Sequence, residues 1–307
     1  MTGSGLTASI VIACYTLDRW TQLGAAVESA LHQSLPAEEV VVVVDHNPEL
    51  EQKVTQQWPS VRVLANQYGQ GASGARNTGA FAVQSAIVAF LDDDAVADRR
   101  WLQTLLDNFD DPTVVGVGGG VVAAWETRQP AWFPNEFAWV VGVSYPGLPE
   151  TVAEIRNVWA ENMAVRRDRF LEVDGFRLNF GKVGTHSSPE DTDLCIRMAG
   201  NGGRWLYVPS AQIAHHVPAG RSTFQFFLRR CYSEGAGKAA LAGLTSSSNL
   251  HSERDYTRHI LPQAVARDVR DAMVQKRLTP LAQAAAILLG LASAGAGYAR
   301  HALTRAR

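Results

Sequence analysis

Three adjacent carboxylates, Asp92, Asp93 and Asp94, end an apolar run in the stretch SAIVAFLDDDAVADRRWLQTLL. Like charges side by side repel, and at the end of a buried strand they lack full solvation, so a positive partner is expected. A hard divalent cation suits oxygen ligands best. Mg2+ or Mn2+ is commonly held by one or two carboxylates plus the phosphates of a substrate. Read as Asp-x-Asp, the triplet predicts a metal–diphosphate site. The competing reading is a solvated turn in which Asp94 or Asp98 caps the next helix. A further carboxylate, Asp45, ends the run EVVVVVD, and the pair Glu190-Asp191 follows Pro189 in the stretch SPEDTDLCIRMAGNG. Proline followed by acidic residues is a helix-start signal. His215 and His216 close the stretch RWLYVPSAQIAHH.

The elements that must carry these groups alternate. ASIVIAC, EVVVVVD, VRVLAN and IVAFLDDD are short apolar runs, read as strands. RWTQLGAAVESALHQ has helical spacing through Trp20, Leu23, Val27 and Leu31, and GASGARNTGAFAVQSA is a glycine-rich loop entering a helix. Such alternation predicts a mostly parallel sheet with helices on both faces. Ligands of such sheets bind at the carboxyl ends of the strands. Asp45 and the triplet are therefore expected at one crevice. TVVGVGGGVVAAW is a further strand whose glycines admit a ligand or another backbone. Residues 125–150 hold six large aromatics and four prolines, an irregular aromatic loop. NVWAENMAVRRDRFLEVDGF predicts a strand, a short helix and a turn; RWLYVPSAQIAHH predicts two short strands, with helices beyond.

The totals narrow the class. The 307 residues suffice for one large domain or two modest ones. A net charge of −2 argues against a general nucleic-acid binder. Cys14, Cys195 and Cys231 are far apart and in no metal-ligand spacing, which predicts reduced thiols in a cytoplasmic protein. The first apolar run has no basic flank and is too short for a secretory leader.

At this point the sequence resembles the family 2 glycosyltransferases, inverting enzymes of the GT-A fold. The matching pieces are SIVIACYTLDR, VVVVDHNPE, GASGARNTGA, FLDDDA, ENMAVRRDRFLEVDGF and PEDTDLCIRM, in that order over residues 8–235. The resemblance implies a GT-A domain over 1–235, with a nucleotide-sugar half to about 124 and an acceptor half from 125. Residues 236–307 would form a helical extension. It implies transfer of one sugar from a nucleotide diphosphate sugar, a UDP-sugar first, to a hydroxyl of a sugar, lipid-linked or small-molecule acceptor. By the same resemblance, Ala13, Tyr15, Thr16 and Asp45 contact base and ribose. Arg76 and Asn77 line the nucleotide pocket, with Asp92 and Asp93 beside it. Asp94 ligates Mg2+ or Mn2+, joined by His215 or His216, with His216 preferred. Asp191 is the general base, and Glu190, Glu161, Asn162, Trp125 and Trp132 face the acceptor. Two departures stand out. The second strand ends in Asp45-His46-Asn47-Pro48 rather than two acidic residues, and the Gln-x-x-Arg-Trp motif of processive synthases is missing. The second departure implies single-sugar transfer.

Two other functions compete. A sugar-nucleotide nucleotidyltransferase needs a glycine-rich, arginine-containing loop after the first strand, where CYTLDRW stands instead. A non-catalytic carbohydrate-binding relative would not need Asp92, Asp94 and Asp191. The tail is distinct in charge: from Glu253 onward there are nine Lys or Arg against four Asp or Glu. Its uncharged stretch from Leu278 to Tyr298 approaches the ~20 residues of a membrane span. With Ala and Gly at ten of its 21 positions, it is expected to pack on the domain or touch the inner face of a membrane. Lys276, Arg277, Arg300, Arg305 and Arg307 would then lie near anionic headgroups.

Overall fold

Four apolar runs form a parallel core. β1 (Ala8–Cys14) pairs with β2 (Glu39–Val44) on one side and β4 (Ile87–Asp92) on the other, and β2 pairs with β3 (Arg62–Ala65), all parallel. Val41, Val42 and Val43 have no exposed surface, because helices cover both faces of the sheet. α1 (Trp20–Leu31) buries Leu23, Ala26, Val27 and Ala30, one stripe at helical spacing. α2 (Pro48–Gln57) starts as its sequence dictates: Asn47 Oδ1 accepts from Leu50 N at 3.1 Å, and Pro48 occupies the first turn. α3 (Ala72–Ala82) follows the glycine-rich loop.

The computed structural model describes residues 5–178, 182–183, 186–187, 190–200, 202–242 and 256–305. Pro189 and Arg307 lie outside them. Two compact units divide the chain: Met1–Val122 with Pro149–His216, and Ala123–Leu148 with Val217–Arg307.

The first unit continues past β4 with opposite polarity. The short β5 (Ala95–Ala97) and α4 (Trp101–Leu106) follow the carboxylates, and then the long β6 (Val114–Trp125). β7 (Ala153–Ile155) precedes β8 (Asn162–Arg166), which pairs antiparallel with both β4 and β6. α5 (Arg167–Glu172) comes next, and β9 (Lys182–Val183) pairs with β10 (His186–Ser187). α6 (Glu190–Ala199) leads into β11 (Arg204–Val217). The sheet order is β3-β2-β1-β4-β8-β6-β11-β5, with β7 also on β11.

β11 corrects the expectation of two short strands. It runs unbroken for 14 residues with Pro209 inside it. β7 pairs with Trp205, Leu206 and Tyr207, and β5 with Ile213, Ala214 and His215. Pro209 falls in the gap between these partners, where a missing N–H is tolerated. The glycines of β6 serve close packing. A side chain at Gly116 would collide with the Trp205 ring, and one at Gly119 with the Ala211 carbonyl.

In the second unit the aromatic segment is ordered. Residues Asn135–Val141 form a 3-10 helix, and Phe133 and Phe137 are buried against Phe227 of α7 (Phe224–Ala242). Helices Leu261–Gln275 and Thr279–Arg305 complete it. The last helix approaches α7 so closely that a side chain at Gly235 would strike the Ala294 carbonyl. Packing is therefore observed for the tail within its unit.

Candidate active site

The site gathers where β1 and its neighbours end. Asp45 N donates to Cys14 O at 2.7 Å, and Ala13 is in register with Asp92. Asp45 and the triplet thus flank the carboxyl end of β1. Asp45 is 6% exposed, and its carboxylate accepts from Asn66 Nδ2 at 2.6 Å, Gly71 N at 2.9 Å and His46 Nδ1 at 2.8 Å. Helix capping falls to Asn47, which also donates to Tyr15 O at 3.1 Å. His46 takes a left-handed φ of 54° to make this corner. The unusual His46-Asn47 pair thereby supports Asp45 on one side and starts α2 on the other. Thr16 accepts from Asp18 N at 3.2 Å, and Tyr15 is half exposed.

Arginines answer the carboxylate cluster. Arg19 Nη1 lies 2.7 Å from Asp93 Oδ1 and 2.9 Å from Asp94 Oδ2. Arg76, carried by α3, donates through Nη2 to Asp92 Oδ1 at 2.6 Å, and its Nη1 lies 3.6 Å from Glu190 Oε1. The two guanidinium groups do not balance the acids around them. Burial pushes the Asp93 carboxyl up to about 6; Arg19 opposes that shift, and Asp94 and Asp92 add to it. Glu190 rises to about 7, first from burial and then from Asp191, with Arg76 opposing. The Cys14 thiol is pushed well up by burial, then by Asp93 and Asp45. Asp93 Oδ2 is buried with no hydrogen-bond partner among the described residues.

Strand alternation decides between the histidines. Ala211, Ile213, His215 and Val217 are buried on one side of β11. His215 Nε2 lies 3.4 Å from Asp94 Oδ1 and 3.9 Å from Glu161 Oε2. His216 reaches Asp94 through its backbone, donating N–H to Asp94 O at 2.8 Å. The ring brought to the site is His215, not the preferred His216. Counting back from Val217 in period two would have found it.

Two expected amides belong to the scaffold. Asn162 is 1% exposed; its Oδ1 accepts from Trp101 Nε1 at 2.7 Å, and its Nδ2 donates to Gly120 O and Ala211 O at 2.9 and 3.0 Å. Its amide ties β8, β6, β11 and α4 together, with no donor left for an acceptor sugar. Asn77 Nδ2 donates to Phe176 O at 2.7 Å and its Oδ1 accepts from Phe176 N at 2.9 Å. Trp125 and Trp132 pack edge-on and tilted against Phe133 within the second unit, as part of its aromatic core. Asp191 opens α6, with Oδ1 accepting from Thr192 N at 2.7 Å. Arg19 has no place in the sequence expectation; its signal was the unmet charge of the triplet.

Carboxylates clustered with two arginines thus stand at the carboxyl ends of the strands. Comparison with known proteins bears on the class. The model of Glycosyl transferase family 2 matches residues 9–171. The chain is 31% identical over 97% of its own length to the glucosyl-dolichyl phosphate glucuronosyltransferase of Haloferax volcanii, and spans 97% of that protein. The chain belongs to glycosyltransferase family 2. Its fold resembles that of a mannosyltransferase from Pyrobaculum calidifontis solved with GDP-Man and Mn2+, with a TM-score of 0.63, 18% identity, and coverage of 96% of this chain and 87% of that one. GalNAc-T7, solved with UDP, GalNAc and Mn2+, gives 0.54 at 17% identity over 77% of this chain and 51% of the other. The family match and the full-length relative show a glycosyltransferase, and the likeness to solved structures shows the GT-A fold.

Proposed function

We propose that the protein is a metal-dependent, inverting glycosyltransferase that moves one sugar from a nucleotide diphosphate sugar to an acceptor hydroxyl. The observation that carries this reading is the gathering of Asp45, Asp92, Asp93, Asp94 and Glu190, with Arg19 and Arg76, at the strand ends of one unit. The residues present fit a hard divalent cation. Asp94 Oδ1 and His215 Nε2 face one another, and among the described residues Asp93 keeps a buried oxygen without a hydrogen bond. No group of three or more His, Cys, Asp or Glu suited to a metal occurs among the described residues. Two protein ligands then leave the remaining positions to diphosphate oxygens, as Mg2+ and Mn2+ commonly require. When bound, the ion stabilises the negative charge that develops on the leaving diphosphate.

The chain's own residues do the rest. Asp45 and Tyr15 receive the nucleoside, with Thr16 and Ala13 at the strand end. Arg76 holds Asp92 and Glu190 in place. Asp191 takes the proton of the acceptor hydroxyl as that oxygen attacks the anomeric carbon opposite the departing diphosphate. The test is incubation with UDP-sugars and then GDP-sugars in Mn2+. Release of free nucleoside diphosphate is expected. Pyrophosphate release, or nucleotide-sugar binding without turnover, would overturn the reading.

A lipid-linked acceptor is the first to try, because the full-length relative is named for a dolichyl phosphate sugar. The tail supports a membrane contact. Thr279–Thr304 is long and apolar enough to cross a membrane by length and composition, yet it packs within its unit through one face. Leu281, Leu288, Leu289 and Leu303 remain exposed, as do Met273, Val274 and Leu278 before and at its start. Residues 272–305 carry Lys276, Arg277, Arg300 and Arg305 and no Asp or Glu. Such a surface suits peripheral contact with anionic lipid at the cytoplasmic face of a membrane. In flotation with vesicles containing phosphatidylglycerol, the full chain should rise with the lipid. Replacing Met273, Val274 and Leu278 with Ser should leave it at the bottom. A chain that ignores such vesicles at low salt would reduce the tail to a structural role.

A further inference from the structure

Arg19 joins two members of the triplet. It ends the 3-10 turn Leu17–Arg19, which β1 delivers to the site and Thr16 caps. One nitrogen, Nη1, serves Asp93 and Asp94 together. The side chain is 25% exposed, in contrast to Asp93 and Asp94 at 5% each. Its guanidinium also lies 5.5 Å from the centre of the half-exposed Tyr15 ring. Arg19 therefore sits on the solvent side of the two carboxylates.

Asp94 is divided by this contact. Its Oδ2 faces Arg19, while Oδ1 faces His215 Nε2. A dication drawn to Oδ1 and His215 would lie a few ångströms from a fixed positive charge. At that range the repulsion between the two is substantial even when partly screened. Two of the carboxylates that would attract the ion are already neutralised in part. A nucleoside diphosphate changes the balance, since its oxygens give the guanidinium a new anionic partner and the ion further ligands.

We propose that Arg19 is an internal counter-ion that makes metal binding depend on the nucleotide. It occupies Asp93 and Asp94 in the free protein and turns to the diphosphate when donor and metal enter together. The inference rests on the metal-dependent reading of the site and adds a residue that links its two ligands. By linkage, the factor by which nucleotide tightens metal binding equals the factor by which metal tightens nucleotide binding. Arg19 supplies part of that factor.

The test is Mn2+ binding, read from the spectrum of free Mn2+ by electron paramagnetic resonance, with and without UDP or GDP. Without nucleotide, Arg19→Gln should bind Mn2+ about tenfold more tightly than the unaltered chain, since a nearby like charge is gone. The enhancement of Mn2+ affinity by nucleotide should shrink by a similar factor. Arg19→Lys keeps the charge and should stay near the unaltered chain. Damage to the fold would weaken metal binding, so tighter binding is not a consequence of misfolding. Equal or weaker Mn2+ binding by Arg19→Gln alone would overturn the counter-ion role and leave the metal site standing. If neither chain binds Mn2+ even with nucleotide, the metal reading fails and the inference falls with it.

Discussion

Asp191→Asn is expected to lower sugar transfer by roughly 10² or more while leaving Mn2+ and nucleotide-sugar affinity unchanged. The substitution keeps the size of the side chain but cannot accept a proton at neutral pH. Asp191 lies in the first turn of α6, where the helix dipole favours its ionised form, and one oxygen accepts from Thr192 N at 2.7 Å. The base acts on the acceptor, so the donor site should not register its loss. Its neighbour sets the pH dependence. Burial holds the Glu190 carboxyl up at about 7, with Asp191 adding to the shift and Arg76 opposing it. Below that value the pair carries one negative charge fewer and has less capacity to take the acceptor's proton. Transfer should therefore rise as pH climbs through about 7. In Glu190→Gln the rise should move to lower pH. Stability runs the other way. A carboxyl raised in the folded state favours folding at low pH and loses that contribution as pH rises from about 4.5 through about 7. The thermal midpoint should fall over this range, and less so in Glu190→Gln. The product should carry the anomeric configuration opposite to the donor's, because a single in-line displacement inverts the carbon. Equal loss of donor binding and turnover in Asp191→Asn would make Asp191 a donor or scaffold residue. A retained configuration would sink the mechanism.

The parallel core was legible because its strands are buried on both faces. β1, β2 and β4 read as unbroken apolar runs, and their ends then locate Asp45 and the triplet without further information. The glycines of β6 announced a close approach, but not that Trp205 and Ala211 make it. Side-chain destinations were harder to read. Asn77 and Asn162 stand within the pieces that carry the family resemblance and share the polarity of site residues. Each is buried, however, with its amide bonded to backbone or indole. A polar residue inside a sheet protein has two fates, and sequence alone does not separate a ligand contact from a cross-tie. Arg19 shows the opposite difficulty. Its partner Asp93 is 74 residues away, and no local pattern marks a contact of that span. Only the charge argument asked for it, and that argument equally suits a metal. The histidine pair lies between these cases, since the period of a strand was enough to choose His215 once the strand was known to run on through Pro209.

Asp94→Ala is expected to abolish the Mn2+ dependence of nucleotide binding without unfolding the chain. The backbone at this position is held independently of the side chain, because Asp94 O accepts from His216 N at 2.8 Å. Arg19 keeps Asp93 as a partner at 2.7 Å, so no buried charge is stranded. Removing one of three adjacent acids also relieves their mutual repulsion, which already contributes to the raised Asp93 carboxyl. The thermal midpoint of the metal-free protein should therefore change little. The ligand side differs. Asp94 is the carboxylate that faces His215, and without its Oδ1 a dication has one protein ligand left of the two. Titration calorimetry with UDP, with and without Mn2+, should give two separated affinities for the unaltered chain and a single weak one for the variant. The variant should still bind nucleotide, because Asp45 follows β2, on the other side of β1 from the triplet, and is untouched. If UDP binds Asp94→Ala with an undiminished response to Mn2+, Asp94 is not a metal ligand. Asp93, with a buried oxygen that finds no hydrogen bond among the described residues, would then be the next carboxylate to replace.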